Sequence, residues 1–265
     1  MYIHNLNSVF INFGFIEIKW YSLAYIFGII LGWWLGKRII IFQSDSSNIN
    51  ANIKIFDDLI SYIIFAIIIG GRLGYVLFYN LNFYFYNPIS VLKIWEGGMS
   101  FHGALAGVVI TTFLFAKKNN IKPFFLLDVL ACVTPIGLFL GRIANFINAE
   151  LYGKPTNNNL ISVVFPNVDN LPRHPSQLYE SFLEGFLLFV LLNTIVFKKN
   201  YKMGVCSVLF LILYGIFRIV SEQFREPDFQ IGYLFNLISM GSLLSSIMIV
   251  IGFILLLRIN KNESK

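Results

Sequence analysis

The sequence predicts an all-α protein that crosses a membrane several times. Its 265 residues are 57% hydrophobic and only 13% charged, with a mean hydropathy of +0.70. Soluble domains carry about twice that charge and are about 45–50% apolar. The apolar residues also form long segments, and most of the basic residues gather in the connections between them. We therefore predict a single polytopic integral membrane domain over residues 1–265.

Seven segments are long enough to cross about 30 Å of hydrocarbon as helices. They lie near residues 20–41, 58–79, 98–116, 124–141, 176–197, 203–222 and 232–257. Glycines spaced four residues apart, such as Gly103 and Gly107 on the third segment, are typical of closely packed membrane helices. We expect these glycines to serve helix packing.

The positions of the basic residues predict the orientation. Twelve of the 20 lysines and arginines lie in alternate connections, after the first, third, fifth and seventh segments. The positive-inside rule makes that face cytoplasmic, so the N-terminus is expected outside and the C-terminus inside. Because the positive charge is distributed in this way, we expect no nucleic-acid partner. The polar connection 153–175, which contains Pro155, Pro166 and Pro172, is expected to form a small outward-facing arm or head.

Polar side chains crowd the end of the fourth segment. Arg142, Asn145, Asn148 and Glu150 follow the apolar run 130–140 within nine residues. An arginine at this depth is costly unless it meets an anion, so we predict a functional site here.

A second polar group lies on the sixth segment. Tyr214, Arg218, Glu222 and Arg225 are spaced so that they share one helix face. A structural ladder of Arg–Glu pairs would give the same spacing, but Arg142 at the same membrane depth favours an anion site. Guanidinium groups form bidentate bonds to phosphate oxygens, and the abundant phosphate of a membrane is a lipid headgroup.

The third segment begins with a histidine that could take part in chemistry. His102 lies between Ser100 and Gly103, where backbone and substrate could come close. It could accept a proton near neutral pH, although a hydrogen-bonded structural histidine is the alternative.

The sequence has neither HExxH nor CxxC spacing, so we expect no metal, and Cys132 and Cys206 are expected to be small core residues.

Residues 141–153, Gly-Arg-Ile-Ala-Asn-Phe-Ile-Asn-Ala-Glu-Leu-Tyr-Gly, resemble the signature of the bacterial prolipoprotein diacylglyceryl transferases. Four further stretches resemble that family, at residues 71–75, 97–103, 174–180 and 214–218. The similarity runs from Trp20 to the last segment. Ala104 and Gln223 depart from residues common in the family, and the connection 153–175 is shorter than in some relatives.

The resemblance implies that the diacylglyceryl group of phosphatidylglycerol is transferred to the lipobox cysteine of a prelipoprotein signal peptide. The products are a thioether and glycerol 1-phosphate, and no cofactor is needed. The resemblance also implies that the protein lies in the bacterial inner membrane, where membrane lipids surround it.

The roles of individual residues follow as hypotheses. Arg142 and Arg218 hold the phosphate, while His102 accepts the thiol proton or instead binds the headgroup. The residues expected to orient the headgroup or the arginines are Tyr21, Asn145 and Glu150. The residues expected to support them or to bind substrate are Arg72, Tyr214, Glu222 and Arg225.

Three other classes of protein share part of this pattern. A transporter or channel also buries arginines, but it would predict interrupted helices in matching halves of the chain. A lipid phosphotransferase would want a cluster of acidic metal ligands, which the sequence lacks. A purely structural membrane protein would not need so many polar residues at one depth.

Overall fold

The computed structural model describes residues 1–14, 17–158, 160–198, 201–227, 232–234 and 237–261. The described residues are mostly helical. The helices are α1 (Trp20–Gln43), α2 (Ile49–Tyr79), α3 (Leu81–Tyr86), α4 (Phe101–Lys118), α5 (Pro123–Ile147), α6 (Ser176–Val196), α7 (Val205–Glu222) and α8 (Met240–Lys261). Two short 3-10 turns, Pro88–Leu92 and Ile94–Glu96, connect α3 to α4.

Six helices of the described part of the chain are long and apolar enough to cross a membrane, namely α1, α2, α5, α6, α7 and α8. The predicted third span corresponds to α4, an 18-residue helix that contains His102 and ends in Lys117 and Lys118. These polar residues leave α4 outside the group of six. The seventh span therefore remains a prediction.

The ends of several helices differ from the limits of the predicted spans. The last helix begins at Met240 rather than near 232, and two short paired strands and a capping residue precede it. The hydroxyl of Ser239 accepts the backbone N–H of Ser242 at 3.1 Å, which satisfies one donor at the start of α8. Helix α5 continues to Ile147 instead of ending near 141, so Arg142 and Asn145 lie on its last turns. Helix α2 begins at Ile49, earlier than predicted.

The described residues also contain short strands that the all-α prediction missed. The strands are β1 (Tyr2–Ile3), β2 (Val9–Asn12), β3 (Glu17–Lys19), β4 (Val163–Val164), β5 (Pro172–Arg173), β6 (Tyr233–Leu234) and β7 (Ile238–Ser239). Strand β1 pairs with β4 in parallel, and β4 pairs with β5 in antiparallel fashion. The connection 153–175 thus joins the N-terminus in a small sheet. Its outward orientation remains a prediction.

Helix α5 lies at the centre of the bundle, with α1 on one side and α6 and α7 on the other. Its residues Leu126, Val129 and Cys132 are buried in the main apolar core. Cys132 and Cys206 are both buried free cysteines, as expected for small core residues. Large apolar side chains of α1 and α8, such as Phe27 and Leu257, are exposed at the perimeter, as expected for a surface that faces lipid.

Helices α2 and α4 approach each other at their glycines. A Cβ atom added to Gly74 would lie 3.1 Å from the backbone nitrogen of Gly103, and one added to Gly107 would lie 2.6 Å from the carbonyl oxygen of Ala66. A larger residue would therefore push the helices apart. The packing role expected for Gly103 and Gly107 is confirmed, and this contact fixes the start of α4 beside α2.

Candidate functional site

A cavity of about 330 Å³ opens near the C-terminal ends of α2, α5 and α7 and the start of α4. Residues from these helices, from α8 and from three connections line it. They are Tyr75, Tyr79, Gly98, Met99, Phe101, His102, Arg142, Leu151, Tyr214, Arg218, Arg225 and Gly241. The cavity therefore brings together five of the predicted site residues, which come from three separate parts of the sequence.

Two buried carboxylates hold the side chain of Arg142. Its Nε atom lies 2.8 Å from an oxygen of Glu180, and its Nη2 atom lies 3.5 Å from an oxygen of Glu184. Both glutamate side chains are fully buried, whereas the Arg142 side chain is 14% exposed. Because the arginine is anchored along one edge, it presents a fixed positive group at the wall of the cavity.

The same two carboxylates hold Arg218. Its Nη1 atom lies 3.2 Å from Glu180 and 3.6 Å from Glu184, and its Nη2 atom pairs with Glu222 one turn later on α7. Arg225 pairs with the other oxygen of Glu180 at 3.3 Å. We call Arg142, Arg218, Arg225, Glu180, Glu184 and Glu222 the arginine–glutamate cluster. Glu180 contacts all three arginines, so it sets their spacing.

Glu180 and Glu184 are not among the residues predicted for the site. A signal was available, since two carboxylates four residues apart in an apolar membrane segment are costly unless they are paired. The middle of α6, Ser181–Leu187, is a π-helix, a form that is often found at functional sites. There the hydroxyl of Ser181 donates to the carbonyl of Phe139 at 3.2 Å, which ties α6 to α5.

His102 lies in the first turn of α4 and borders the cavity. Ser100 caps this helix by accepting the backbone N–H of Gly103 at 3.3 Å. The Nε2 atom of His102 lies 3.4 Å from the hydroxyl of Ser245 on α8, and its ring lies edge-on to Tyr214 with 6.5 Å between the ring centres. The ring is thus held beside the cluster.

Asn145 and Glu150 lie beside the cavity without lining it. The amide of Asn145 donates to one carboxylate oxygen of Glu150 at 3.2 Å, and Asn148 donates to the other at 3.4 Å. The amide of Gln177, at the start of α6, donates to the backbone carbonyl of Glu150 at 2.6 Å. These contacts hold the chain as it leaves α5 and place Leu151 at the cavity wall.

Tyr21 lies near the start of α1, where its hydroxyl is 3.3 Å from that of Tyr25. Arg142 and Glu150 lie close enough to Tyr25 for their charges to act on its hydroxyl. Tyr21 therefore contacts Tyr25, which lies near Arg142 and Glu150. Tyr21 itself is not among the described residues that line the cavity.

Arg72 has a different environment from the one expected of a substrate ligand. All three of its nitrogens donate to backbone carbonyls of the segment between α3 and α4, with Nε reaching Val91 at 2.9 Å and Nη2 reaching Ser90 at 2.6 Å and Lys93 at 3.1 Å. Its Nη1 atom donates to Gly97 and, at 3.2 Å, to Gly98. Arg72 is buried and does not line the cavity. It fixes the Gly98–Met99 part of the cavity wall.

Charged groups outside the membrane helices hold the connection 153–175 in place before α6. Hydrogen bonds from Arg173 hold the pKa of the Asp169 carboxyl below its usual value. Arg173 also donates to the carbonyl of Gly153 at 2.9 Å and pairs with Glu226 at 3.0 Å. Burial lowers the pKa of His174, whose Nδ1 atom lies 3.2 Å from the Tyr179 hydroxyl. These contacts attach the connection 153–175 to the end of α7.

Gly153 packs where that connection meets the chain after α7. An added Cβ atom would lie 2.6 Å from the carbonyl oxygen of Phe224 and closer still to that of His174. We expect Gly153→Ala to lower the activity of the site at least about tenfold, because overpacking of this kind typically costs about 1–3 kcal/mol and moves Arg225 with its neighbours. Gly137→Ala is the matched control, since an added Cβ there meets no atom within 4 Å. Equal activity of the two variants would contradict the packing argument.

Within the described ranges, no three His, Cys, Asp or Glu side chains form a group that could hold a metal ion. The absence of a metal and of a cofactor remains a prediction from the sequence.

The fold and the site together define a membrane protein with a buried cluster of arginines and glutamates beside a cavity. A sequence model of the prolipoprotein diacylglyceryl transferase family matches residues 8–258. The chain is 48% identical to the phosphatidylglycerol–prolipoprotein diacylglyceryl transferase of Rickettsia typhi over 262 residues, which are 98% of this chain and 99% of that protein. It is also 48% identical to the protein of the same name from Rickettsia felis, with 97% and 98% of the two chains covered. The chain belongs to the prolipoprotein diacylglyceryl transferase family.

Proposed function

We propose that this protein transfers the sn-1,2-diacylglyceryl group of phosphatidylglycerol to the lipobox cysteine of prelipoproteins. The observation that carries the proposal is the arginine–glutamate cluster, which holds Arg142 and Arg218 rigidly at the wall of the cavity. Family membership supplies the two substrates, since the relatives are named for phosphatidylglycerol and prolipoprotein.

The reaction forms a carbon–sulfur bond and breaks a carbon–oxygen bond. The cysteine sulfur attacks C3 of the diacylglyceryl group, and the electron pair of the C3–O bond leaves with glycerol 1-phosphate. The thiol proton passes to a base, because the thiolate is the nucleophilic form. Negative charge therefore grows on the phosphate ester as the bond breaks. Preorganised positive groups in a site of low dielectric constant stabilise such charge most effectively.

In our proposal Arg142 and Arg218 bind the phosphate and stabilise it as it leaves. Both line the cavity, and Glu180 and Glu184 fix their relative position. Holding an arginine in place before the reaction avoids the cost of reorganisation during the transition state. Tyr214 and Glu222 on α7 and Arg225 just after it support this pair, while Asn145, Glu150 and Tyr21 orient the headgroup or the arginines. Arg72 shapes the wall through its backbone contacts.

His102 is proposed as the base that takes the thiol proton, with binding of the headgroup as its alternative role. Its position beside the cavity and next to Tyr214 is consistent with both roles. We expect His102→Gln to lower the rate of transfer by about 100-fold while phosphatidylglycerol binding is retained, since a positioned base contributes about 10²–10⁴. The rate is measured with a lipobox peptide, and binding is measured with labelled lipid. Weaker lipid binding at an unchanged rate of transfer by the lipid-saturated enzyme would assign His102 to the headgroup instead.

We also propose seven membrane spans, with α4 as the third. The N-terminus would lie outside, the C-terminus would lie in the cytoplasm, and the connection 153–175 would form an arm over the outer face of the bacterial inner membrane. Both substrates would then arrive by lateral diffusion. The basic residues in alternate connections support this orientation.

A transfer assay with purified protein tests the proposal. The protein in detergent is mixed with phosphatidylglycerol, a lipobox peptide and EDTA, and the peptide is weighed by mass spectrometry. We expect a gain of one diacylglyceryl unit on the cysteine, and no gain when that cysteine is replaced by serine. An unmodified cysteine peptide in the presence of folded protein would contradict the proposed function.

A further inference from the structure

The residue at the start of helix α7 has no side chain that could cap the helix. Its N-cap residue is Gly204, which has a left-handed φ of +95° and no side chain to accept the first backbone N–H groups. Those groups have no partner inside the helix and need an acceptor from elsewhere. The N–H of Val205 donates to the carbonyl of Lys202, and the acceptor for Ser207 is Asp128, which lies on α5 and is fully buried.

Asp128 accepts hydrogen bonds from both ends of the first turn of α7. One carboxylate oxygen accepts the backbone N–H of Gly204 at 2.5 Å, and the other accepts the backbone N–H of Ser207 at 2.7 Å. The hydroxyl of Ser207 also donates to it at 2.5 Å. Ser207 is the third residue after the cap, the position at which a standard capping side chain binds. A carboxylate is also favoured at the positive end of a helix dipole.

A neighbouring tyrosine completes the arrangement from the connection between α6 and α7. Tyr201 lies close enough to Asp128 for the two groups to influence each other. Burial and the negative charge of Asp128 raise the pKa of Tyr201, so its hydroxyl keeps its proton. A carboxylate in the apolar interior is costly unless several donors meet it, which accounts for this set of contacts.

The two helices joined by this cap are the ones that carry Arg142 and Arg218. Asp128 precedes Arg142 by 14 residues of α5, or about 21 Å, and Ser207 precedes Arg218 by 11 residues of α7, or about 16 Å. Both helices run away from the cap towards the cavity. A shift of α7 by one residue would move Arg218 by about 1.5 Å along the axis and turn it by about 100°. The cap therefore sets which face and which turn of α7 meets Arg142.

We propose that Asp128 is a positioning residue for the transfer reaction, because its cap on α7 fixes the register in which Arg218 and Arg142 share Glu180 and Glu184. The expected effect on the reaction rate rests on the proposed function. The expected effect on the position of α7 rests only on the hydrogen bonds of Asp128 described above.

A double-mutant cycle tests the kinetic consequence. We expect Asp128→Ala to lower kcat by about tenfold to 100-fold with KM for phosphatidylglycerol changed less than about threefold, since a displacement of 1 Å can cost about 10² in rate. In an Arg218→Lys background the same substitution is expected to cost less than about threefold, because coupled sites are not additive. Equal fold-losses in the two backgrounds would show that Asp128 acts on folding alone and would overturn the proposal.

Two further variants test whether the loss of activity comes only from a smaller amount of folded protein. Ser207→Ala removes one contact to Asp128 and leaves the backbone N–H groups capped, so we expect a smaller loss with the same dependence on Arg218. Thr134→Ala is the matched control, since its hydroxyl donates at 2.7 Å to Leu130 of its own helix and joins no second helix. We expect Thr134→Ala to stay within about twofold of the wild type; a loss as large as that of Ser207→Ala would count against the proposal.

A distance measurement tests the register without any turnover. Spin labels are placed on cysteines at Phe139 of α5 and Val220 of α7, which are 37% and 45% exposed, while the native cysteines are buried. We expect Asp128→Ala to change the distance between the labels by at least about 1.5 Å, the rise of one helical residue. An unchanged distance would overturn the proposal, whereas inactive wild-type protein with a shifted distance in the variant would count against the proposed function only.

Discussion

Arg142→Ala is expected to lower the rate of diacylglyceryl transfer by at least about 1000-fold, at the upper end of the loss seen when one group that stabilises developing charge is removed. The side chain has two effects in the site. It presents a positive charge to the cavity, and it pairs with Glu180 and Glu184. Alanine removes both, so the leaving phosphate loses a partner and the two carboxylates lose a counter-charge. The measurement is the initial rate of peptide modification.

Two companion variants separate charge from geometry. Arg142→Lys keeps the positive charge but loses the planar fork that binds phosphate in a bidentate manner, so its rate should fall between those of the wild type and Arg142→Ala. Arg38→Ala removes an exposed arginine that lies over Trp34, far along α1 from Tyr21, and should stay within about twofold of the wild type. Wild-type activity in Arg142→Ala would refute the assignment of Arg142 to the phosphate.

Glu180→Gln is expected to have the second-largest effect and to lower both stability and rate. Glu180 is fully buried and contacts Arg142 at 2.8 Å, Arg218 at 3.2 Å and Arg225 at 3.3 Å. Breaking a buried ion pair by removing one partner costs about 3–5 kcal/mol. Glutamine keeps the shape but leaves three arginines with one carboxylate fewer, so they repel one another and lose their fixed spacing. We expect transfer to fall about 100-fold, with a lower midpoint of thermal unfolding in detergent.

Glu226→Gln is the matched control for this substitution. Glu226 also pairs with an arginine, Arg173, at 3.0 Å, but its side chain is 43% exposed. Exposed ion pairs contribute about 0–1 kcal/mol, so little change is expected in either measurement. If Glu180→Gln behaved like Glu226→Gln, the view that Glu180 organises the three arginines would have to be abandoned.

The sequence predicted the parts of this structure that depend on local pattern. The long apolar segments gave the six helices that can cross a membrane, and the spacing of Tyr214, Arg218 and Glu222 placed them on one face of α7. Arg225 was predicted on the same face, but it lies beyond the end of α7. The polar crowding after the apolar part of α5 identified Arg142. These features depend on residues within about one helix of each other, and helical periodicity is enough to find them.

The features that were missed depend on contacts between distant residues. Glu180 takes its role from three arginines, which lie on α5, on α7 and in the chain after α7. The contacts of Arg72 were also missed, because its partners are backbone carbonyls of an irregular segment whose path the sequence does not reveal; substrate binding by Arg72 stays a prediction. The two-residue strands β1, β4 and β5 exist only because they pair, β1 with β4 and β4 with β5. In each case a contact with a residue distant in the sequence, rather than the local sequence pattern, determines the structure.

The measurement that tests the central claim most directly is the ratio of glycerol 1-phosphate released to peptide modified. Wild-type protein and Arg142→Ala would each be mixed with phosphatidylglycerol and the lipobox peptide, and both products would be counted in the same samples. Carbon–oxygen cleavage with the phosphate held by the arginines predicts one glycerol 1-phosphate per modified cysteine in the wild type and neither product in Arg142→Ala. Modified peptide without released glycerol 1-phosphate, or an equal yield from both proteins, would contradict the account.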